Sequence, residues 1–193
     1  APSDSSTPTP GGSSSSAWIS EGTRLTSAGA GITGTMADTT TLRLNHGRWR
    51  MFLFAGQNYR SAISSDGLSF PMEDGSRLPN GKGQSRVIRL SDGRVRMFHI
   101  DAGGISSSIS SDEGMRFTFE AMRVTAGQAG LSQLSGPGIA RTSDGRWRMY
   151  FSELDTPGAA IVPLPLKSAS STNLTTWTMD PGVRIGPGAT LTG

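Results

Sequence analysis

One strand–turn–strand motif is written three times in this sequence, and that repetition limits the fold more than any other feature. The copies are TLRL-NHG-RWRMFLF at 41–54, VIRL-SDG-RVRMFHI at 87–100 and IART-SDG-RWRMYFS at 139–152. Their turn glycines, Gly47, Gly93 and Gly145, stand 46 and 52 residues apart. Asp92-Gly93 and Asp144-Gly145 predict two-residue hairpin turns with positive φ, and His46-Gly47 is the weaker form of the same signal. Alternation of Arg48 and Arg50 with Trp49 and Met51 predicts a strand with one side on a core and the other away from it. Short antiparallel strands repeating at a period near 50 residues are the signature of β-propeller blades. The predicted fold class is therefore all-β, a propeller of four-stranded antiparallel blades.

A second self-similar element follows each hairpin: YRSAISSDGLSF at 59–70, GISSSISSDEGMRFTF at 104–119 and LKSASSTNLTTWTM at 166–179. In each, small residues lead into a polar turn and an aromatic side chain comes out of it. Asp66, Asp112 and Asn173 sit where a side-chain oxygen caps such a turn, so their expected role is maintenance of the fold. The first copy, through Asp66-Gly67, is one residue shorter than the second, through Asp112-Glu113-Gly114. About three blades fit within 18–193, whereas typical rings have about 4 to 8. The sequence thus reads as part of a longer propeller with about two blades missing, or as an open sector that an oligomer completes. Trp18-Ile-Ser-Glu-Gly-Thr-Arg-Leu matches Trp177-Thr-Met-Asp-Pro-Gly-Val-Arg-Ile, as if the first segment supplied the outer strand of the blade that closes the ring.

Residues 1–17 contain only Ser, Thr, Pro, Gly, Ala and one Asp. Such a segment cannot bury enough apolar surface to offset its ordering entropy, so it is expected to be a disordered tether ahead of the partial propeller at 18–193. This composition suggests an extracellular or cell-surface protein, with a cytosolic location as the alternative. There is no cysteine, which excludes disulfides, thiolate metal sites and a cysteine nucleophile from this chain. Two histidines, His46 and His99, leave little for a histidine-built metal centre, and no metal or other cofactor is expected. The net charge of +3 comes from arginines spread singly along candidate strands, so nucleic acid is not an expected partner. No apolar run approaches the roughly 18 to 20 residues of a membrane-spanning helix.

The A-D-T-T-T-L-R-L-x-x-G-R-W-R-M-F run from Ala37 to Phe52, the G-R-W-R-M-Y hairpin at 145–150 and the S-S-T-N-L-T-T-W turn at 170–177 resemble the five-bladed propeller glycoside hydrolases of the arabinanase, xylosidase and invertase type. Ser110-x-Asp112-x-Gly114-x-x-Phe117 is similar to the Asp-box of sialidase-like propellers. The resemblance covers 18–193 as the first three blades. It implies carbohydrate as partner and an axial pocket with three carboxylates: an Asp base in the first blade, an Asp that tunes the site in a middle blade, and a Glu acid in a later one. Asp38 matches the base. Counted back from the turn glycines, its equivalents are Gln84 and Gly136, so an acid stands there in one blade of three.

Cleavage of a glycosidic bond needs two carboxyl groups, about 5 to 5.5 Å apart for retention or about 6.5 to 9.5 Å for inversion. Candidate partners for Asp38 are Glu153 and Asp155, after the third hairpin, and Asp101, at the corresponding place in the second blade. Gln84 and Arg86 are candidate substrate-binding residues beside an inner strand. Each of these acids also reads as a solvated loop residue, and the resemblance puts the acid catalyst beyond Gly193. Arg86, Tyr59 and Tyr150 do not assemble into the arginine cluster and activated tyrosine that sialic acid would require. Trp49, Val95 and Trp147 share one repeat position and are expected to pack between blades, while Arg48, Arg50, Arg94, Arg96, Arg146 and Arg148 are expected to cover strand faces and pair with acids. The predicted function is glycoside hydrolysis at an axial pocket; the alternative is a noncatalytic propeller that binds a glycan or a surface partner.

Overall fold

The computed structural model describes residues 22–81, 83–153 and 164–186. The tether at 1–17, the Trp18 match and Asp155 lie outside the described residues. Among the described residues, eleven strands make three antiparallel meanders. The first holds β1 (Met36–Arg43), β2 (Trp49–Ala55) and β3 (Asn58–Ser64). The second runs β4 (Arg86–Arg89), β5 (Val95–Asp101), β6 (Gly104–Ser110) and β7 (Thr118–Thr125). The third comprises β8 (Leu134–Arg141), β9 (Trp147–Glu153), β10 (Lys167–Ser171) and β11 (Thr178–Met179). One helical turn, α1 (Ala126–Ala129), joins the second sheet to the third. The first sheet departs from the predicted four strands, since isolated bridges from Tyr59 to Leu78 and from Ala62 to Met72 stand where a fourth strand would pair.

The first strands of the sheets, β1, β4 and β8, pack successively against one another and so define the inner side. Apolar cores lie between sheets. Leu42, Phe52 and Tyr59 of the first meet Val87, Val95 and Met97 of the second. Phe98, Ile105 and Val124 of the second meet Leu134, Met149 and Phe151 of the third. The sheet placed between two others has no solvated side, so β5 departs from the expected burial on one face alone, whereas β9 of the third sheet keeps it, with Met149 and Phe151 buried between half-buried neighbours. Val95 to His99 are all buried, and Arg50 and Arg96 are each only 5% exposed.

These arginines form a repeated polar interior. Arg50 Nε and Nη2 donate to Glu73 at 2.7 and 2.8 Å, and Arg96 Nε and Nη2 to Glu120 at 2.7 and 2.8 Å. Serine hydroxyls complete the acids: Ser61 to Glu73 at 2.7 Å, Ser107 to Glu120 at 2.8 Å. Burial pushes both carboxyls up, but their arginine and serine hydrogen bonds outweigh it and hold them below the ordinary range. The third sheet keeps a looser version, with Arg148 Nε 3.1 Å from Asp180, which also accepts from Ser168 and Ser170. Arginines of one sheet also reach forward into the next. Arg50 and Arg77 donate to the carbonyls of Glu113 (2.6 Å) and Met115 (3.2 Å), and Arg96 and Arg123 to those of Leu174 (3.3 Å) and Thr175 (3.2 Å).

The three hairpin turns are built alike but not as predicted. Leu44, Leu90 and Thr142 donate to Arg48, Arg94 and Arg146, and the turn glycine donates back to Leu44, Leu90 and Thr142. Only the glycines take positive φ, at 88, 85 and 81°. Each is therefore a three-residue loop in which the glycine forms the left-handed step of a bulge, and Asp92 and Asp144 contribute carboxylates that accept from Arg94 and Arg146 instead. The polar turns after the third strands are capped as expected. Asp66 Oδ1 accepts from Leu68 and Ser69, Asp112 Oδ1 from Arg116, and Asn173 Oδ1 from Thr175 and Thr176.

Candidate functional site at the inner strands

The inner strands begin at one end of the molecule, and the predicted residues collect there. Asp38, Gln84 and Gly136 all take left-handed backbone, with φ of 57, 50 and 53°. At two of them the ladder slips, between Ala37 and Thr40 in β1 and between Ser135 and Gly138 in β8. A bulge at this point turns the chain toward the axis, and the repeat preserves the kink while changing the side chain. Holding a non-glycine residue in this conformation costs about 1–2 kcal/mol, so Asp38 and Gln84 need local compensation.

They find it in each other. Gln84 N–H donates to Asp38 Oδ2 at 2.9 Å, and Gly136 N–H donates to Gln84 Oε1 at 2.5 Å. The kinked residues of the first two sheets thus each accept the backbone N–H of their successor. Asp38 is exposed, and its hydrogen bond uses Oδ2, leaving Oδ1 toward solvent. Gly83 sits beside it, where an added Cβ would come within 2.7 Å of the same oxygen. Tyr59, fully buried below, donates its hydroxyl to Gly83 O at 2.6 Å and so fixes the segment that carries Gln84. Burial raises the Tyr59 pKa most, with the charges of Asp38 and Asp101 adding to it, so the phenol stays protonated and is a peg, not a base.

The other candidates occupy the same end, because β5 and β9 run antiparallel to β4 and β8. Asp101 closes its own turn: Oδ1 accepts from Ala102 N–H at 2.7 Å and Oδ2 from the Ser106 hydroxyl at 3.0 Å. Glu153 accepts from Ser132 N–H at 3.0 Å and its hydroxyl at 2.5 Å, and these bonds hold the carboxyl below the usual glutamate range. A proton donor at neutral pH needs the opposite shift. Arg86 is exposed and has no polar partner among the described residues. A cavity of about 460 Å³ between Asp101, Gly103, Gln133 and Leu134 adjoins this end. Buried His99, whose Nε2 lies 3.0 Å from Ser108 Oγ, is held neutral by burial and faces the interior. Among the described residues no group of acids and histidines could hold a metal ion, and no helix is long and apolar enough to cross a membrane.

The geometry can be set beside solved structures. An endo-1,4-β-xylanase from Bacteroides thetaiotaomicron superposes with a TM-score of 0.66 at 13% identity, over 84% of this chain and 59% of that one. A thermostable family-43 glycoside hydrolase gives 0.60 at 13% identity, over 82% and 56%. The Penicillium chrysogenum α-L-arabinanase complexed with arabinobiose gives 0.52 at 17% identity, over 81% and 50%. This chain has a β-propeller fold. Its three sheets are blades of an open propeller spanning between half and three-fifths of each of those structures. No protein-family model and no curated protein matches the sequence.

Three features escaped the sequence reading: the Tyr59 peg, the acid partners Glu73, Glu120 and Asp180, and the second arginines Arg77 and Arg123. Two of these acids were legible as a glutamate 23 or 24 residues after Arg50 and Arg96, followed by another arginine four or three residues on.

Proposed function

We propose that this chain supplies one half of the active site of a carbohydrate-cleaving propeller, a glycoside hydrolase in which Asp38 is the base that activates water. The observation that carries the reading is the state of Asp38: an exposed carboxylate on a strained inner-strand kink, oriented through Oδ2 by Gln84 N–H, with its second oxygen open. Strained backbone of this kind is concentrated at functional sites, and the general base must be ionised and aimed before substrate arrives. Solved propellers of similar fold include a xylanase and an arabinanase, which supports a polysaccharide substrate. On this reading Gln84 and Arg86 contact the sugar, the ring has five blades, and the proton donor stands on a blade outside the described residues. Asp101 serves its own turn, and Glu153 anchors the segment that leads into β8 through Ser132. The protein works outside the cell, held by the Ser/Thr/Pro segment at 1–17.

The test is Asp38→Asn in the complete protein, assayed for reducing ends released from xylan and arabinan. The expected loss in kcat is about 10²–10⁴-fold with unchanged thermal stability, and equal rates would overturn the assignment. A noncatalytic reading is favoured by one observation, that Gly136 stands where the resemblance places the tuning Asp of a middle blade. It requires the wild type to retain a glycan without releasing reducing sugar.

A further inference from the structure

The two junctions between blades differ at the face opposite Asp38. In the first, the Glu113 carboxylate lies between the blades: Oε1 accepts from Asn45 N–H at 2.9 Å and from Arg89 Nη2 at 3.2 Å, and Oε2 is 3.9 Å from His46 Nε2. Glu113 is the extra residue of its turn. The serine that opens each turn accepts from Gly67, Gly114 or Leu174 N–H at 2.8, 2.8 and 2.9 Å, so these three correspond, and Glu113 is inserted before the second.

In the second junction the turn is one residue shorter and supplies no such acid. The positions equivalent to Asn45 and Arg89 are Ser91 and Arg141, each two and four residues before its turn glycine. Both line a cleft of about 700 Å³, together with Trp147, Thr172 and Thr175. Ser91 N–H has no partner among the described residues. Arg141 has no acid partner among them either; its guanidinium lies 6.0 Å over the Trp147 ring, and Nε makes a 3.4 Å bond to Gly145 O. Of the neighbouring charges, Arg96 is paired with Glu120, Asp92 with Arg94, and Arg89 with Glu113. The Arg141 charge is left uncompensated.

We infer that this cleft is a binding site for the carboxylate of an acidic sugar, which takes the place that Glu113 fills in the preceding junction. Ser91 N–H and Arg141 receive the carboxylate, a charge-assisted pairing of the stronger kind. A space of this volume suits a saccharide unit, the threonine hydroxyls match its hydroxyl groups, and the indole edge of Trp147 gives it an apolar wall. A bare carboxylate side chain would leave most of the cleft unfilled. That the carboxylate belongs to a sugar rests on the carbohydrate reading above; the carboxylate site does not.

The experiment is a titration of the ¹⁵N-labelled protein with D-galacturonate, D-galactose and glutarate. Galacturonate should saturably shift the Ser91 amide and the Arg141 side chain, with galactose and glutarate at least tenfold weaker. Arg141→Ala should weaken galacturonate by about tenfold or more, as should a glutamate inserted between Asn173 and Leu174 to mimic Glu113. Arg141→Lys should restore part of the binding by keeping the charge. No shift, equal binding of galactose, equal binding of glutarate, or unchanged binding by both the Arg141→Ala and insertion variants would each overturn the proposal. The readout is binding, on the face away from Asp38, so a failure of the hydrolase reading would leave it unmoved.

Discussion

The blade interiors and the ring of kinks at the axis treat the same repeat in opposite ways. Inside, the side chains are kept: Arg50, Arg96 and Arg148 recur, each with an acid and a serine. At the axis the backbone is kept, with φ near 50–57° in all three blades, but the residues are Asp, Gln and Gly. Where chemistry repeats with geometry, the fold requires both. Where only geometry repeats, the side chain is released from the fold and open to a blade-specific task, which is why Asp38 and not the buried arginines is the candidate for catalysis.

The largest effect that would sharpen this contrast is at Arg96. Arg96→Ala leaves the Glu120 carboxylate with only the longer Arg123 pair at 3.3 Å and the Ser107 hydroxyl, and removes a bond to the next blade, an expected loss of about 2–3 kcal/mol by urea unfolding. Arg148→Ala, at a more exposed pair with no forward bond among the described residues, should cost clearly less. Equal losses would show that the forward bonds contribute nothing.

Next in size is the response to acid. His99 is held neutral in the fold, below its ordinary pKa of 6.5, so the unfolded chain takes up a proton first and stability should begin to fall as pH drops below about 6.5. A steeper loss should follow below about pH 4.5, where unfolded glutamates protonate before Glu73 and Glu120 do, their folded pKa values being depressed. Replacing His99 by asparagine should flatten the first slope and leave the second, as followed by thermal melts across pH 3–8.

The smallest effects belong to the axis. Gly136→Ala places a Cβ on a left-handed residue with open space around it and should cost about 1 kcal/mol. Asp38→Asn should cost no more than about 0.5 kcal/mol, because asparagine tolerates the same conformation and its Oδ1 still accepts from Gln84. A large loss of stability in the asparagine variant would return Asp38 to the fold and break the comparison.

What could be read in the sequence follows the same division. The hairpins, their glycines and the turn caps were legible because each is local, set within about ten residues by steric rules and short hydrogen bonds. The equivalence of Asp38, Gln84 and Gly136 was legible from spacing, although neither the shared kink nor its chain of hydrogen bonds was. The pairing of the buried arginines with acids was legible but their burial was not, since a charge at every second position looks like a solvated face unless the acid that neutralises it can be seen. Glu73 lies 23 residues from Arg50 and beyond the repeat as first drawn. The outer strand of the first blade was over-predicted because Met72 and Leu78 make single bridges and not a ladder.

The forward-reaching arginines also bear on how such a chain could be lengthened. Arg96 and Arg123 belong to the second blade, but the carbonyls they satisfy belong to the third, and the second blade's own turn is satisfied by Arg50 and Arg77 of the first. The second blade is therefore a unit with a donor side and an acceptor side. Duplicating the coding segment for one blade copies both sides together, so the inserted unit meets its predecessor and its successor with complementary groups already in place. Ring size could change by whole blades without any junction being invented anew.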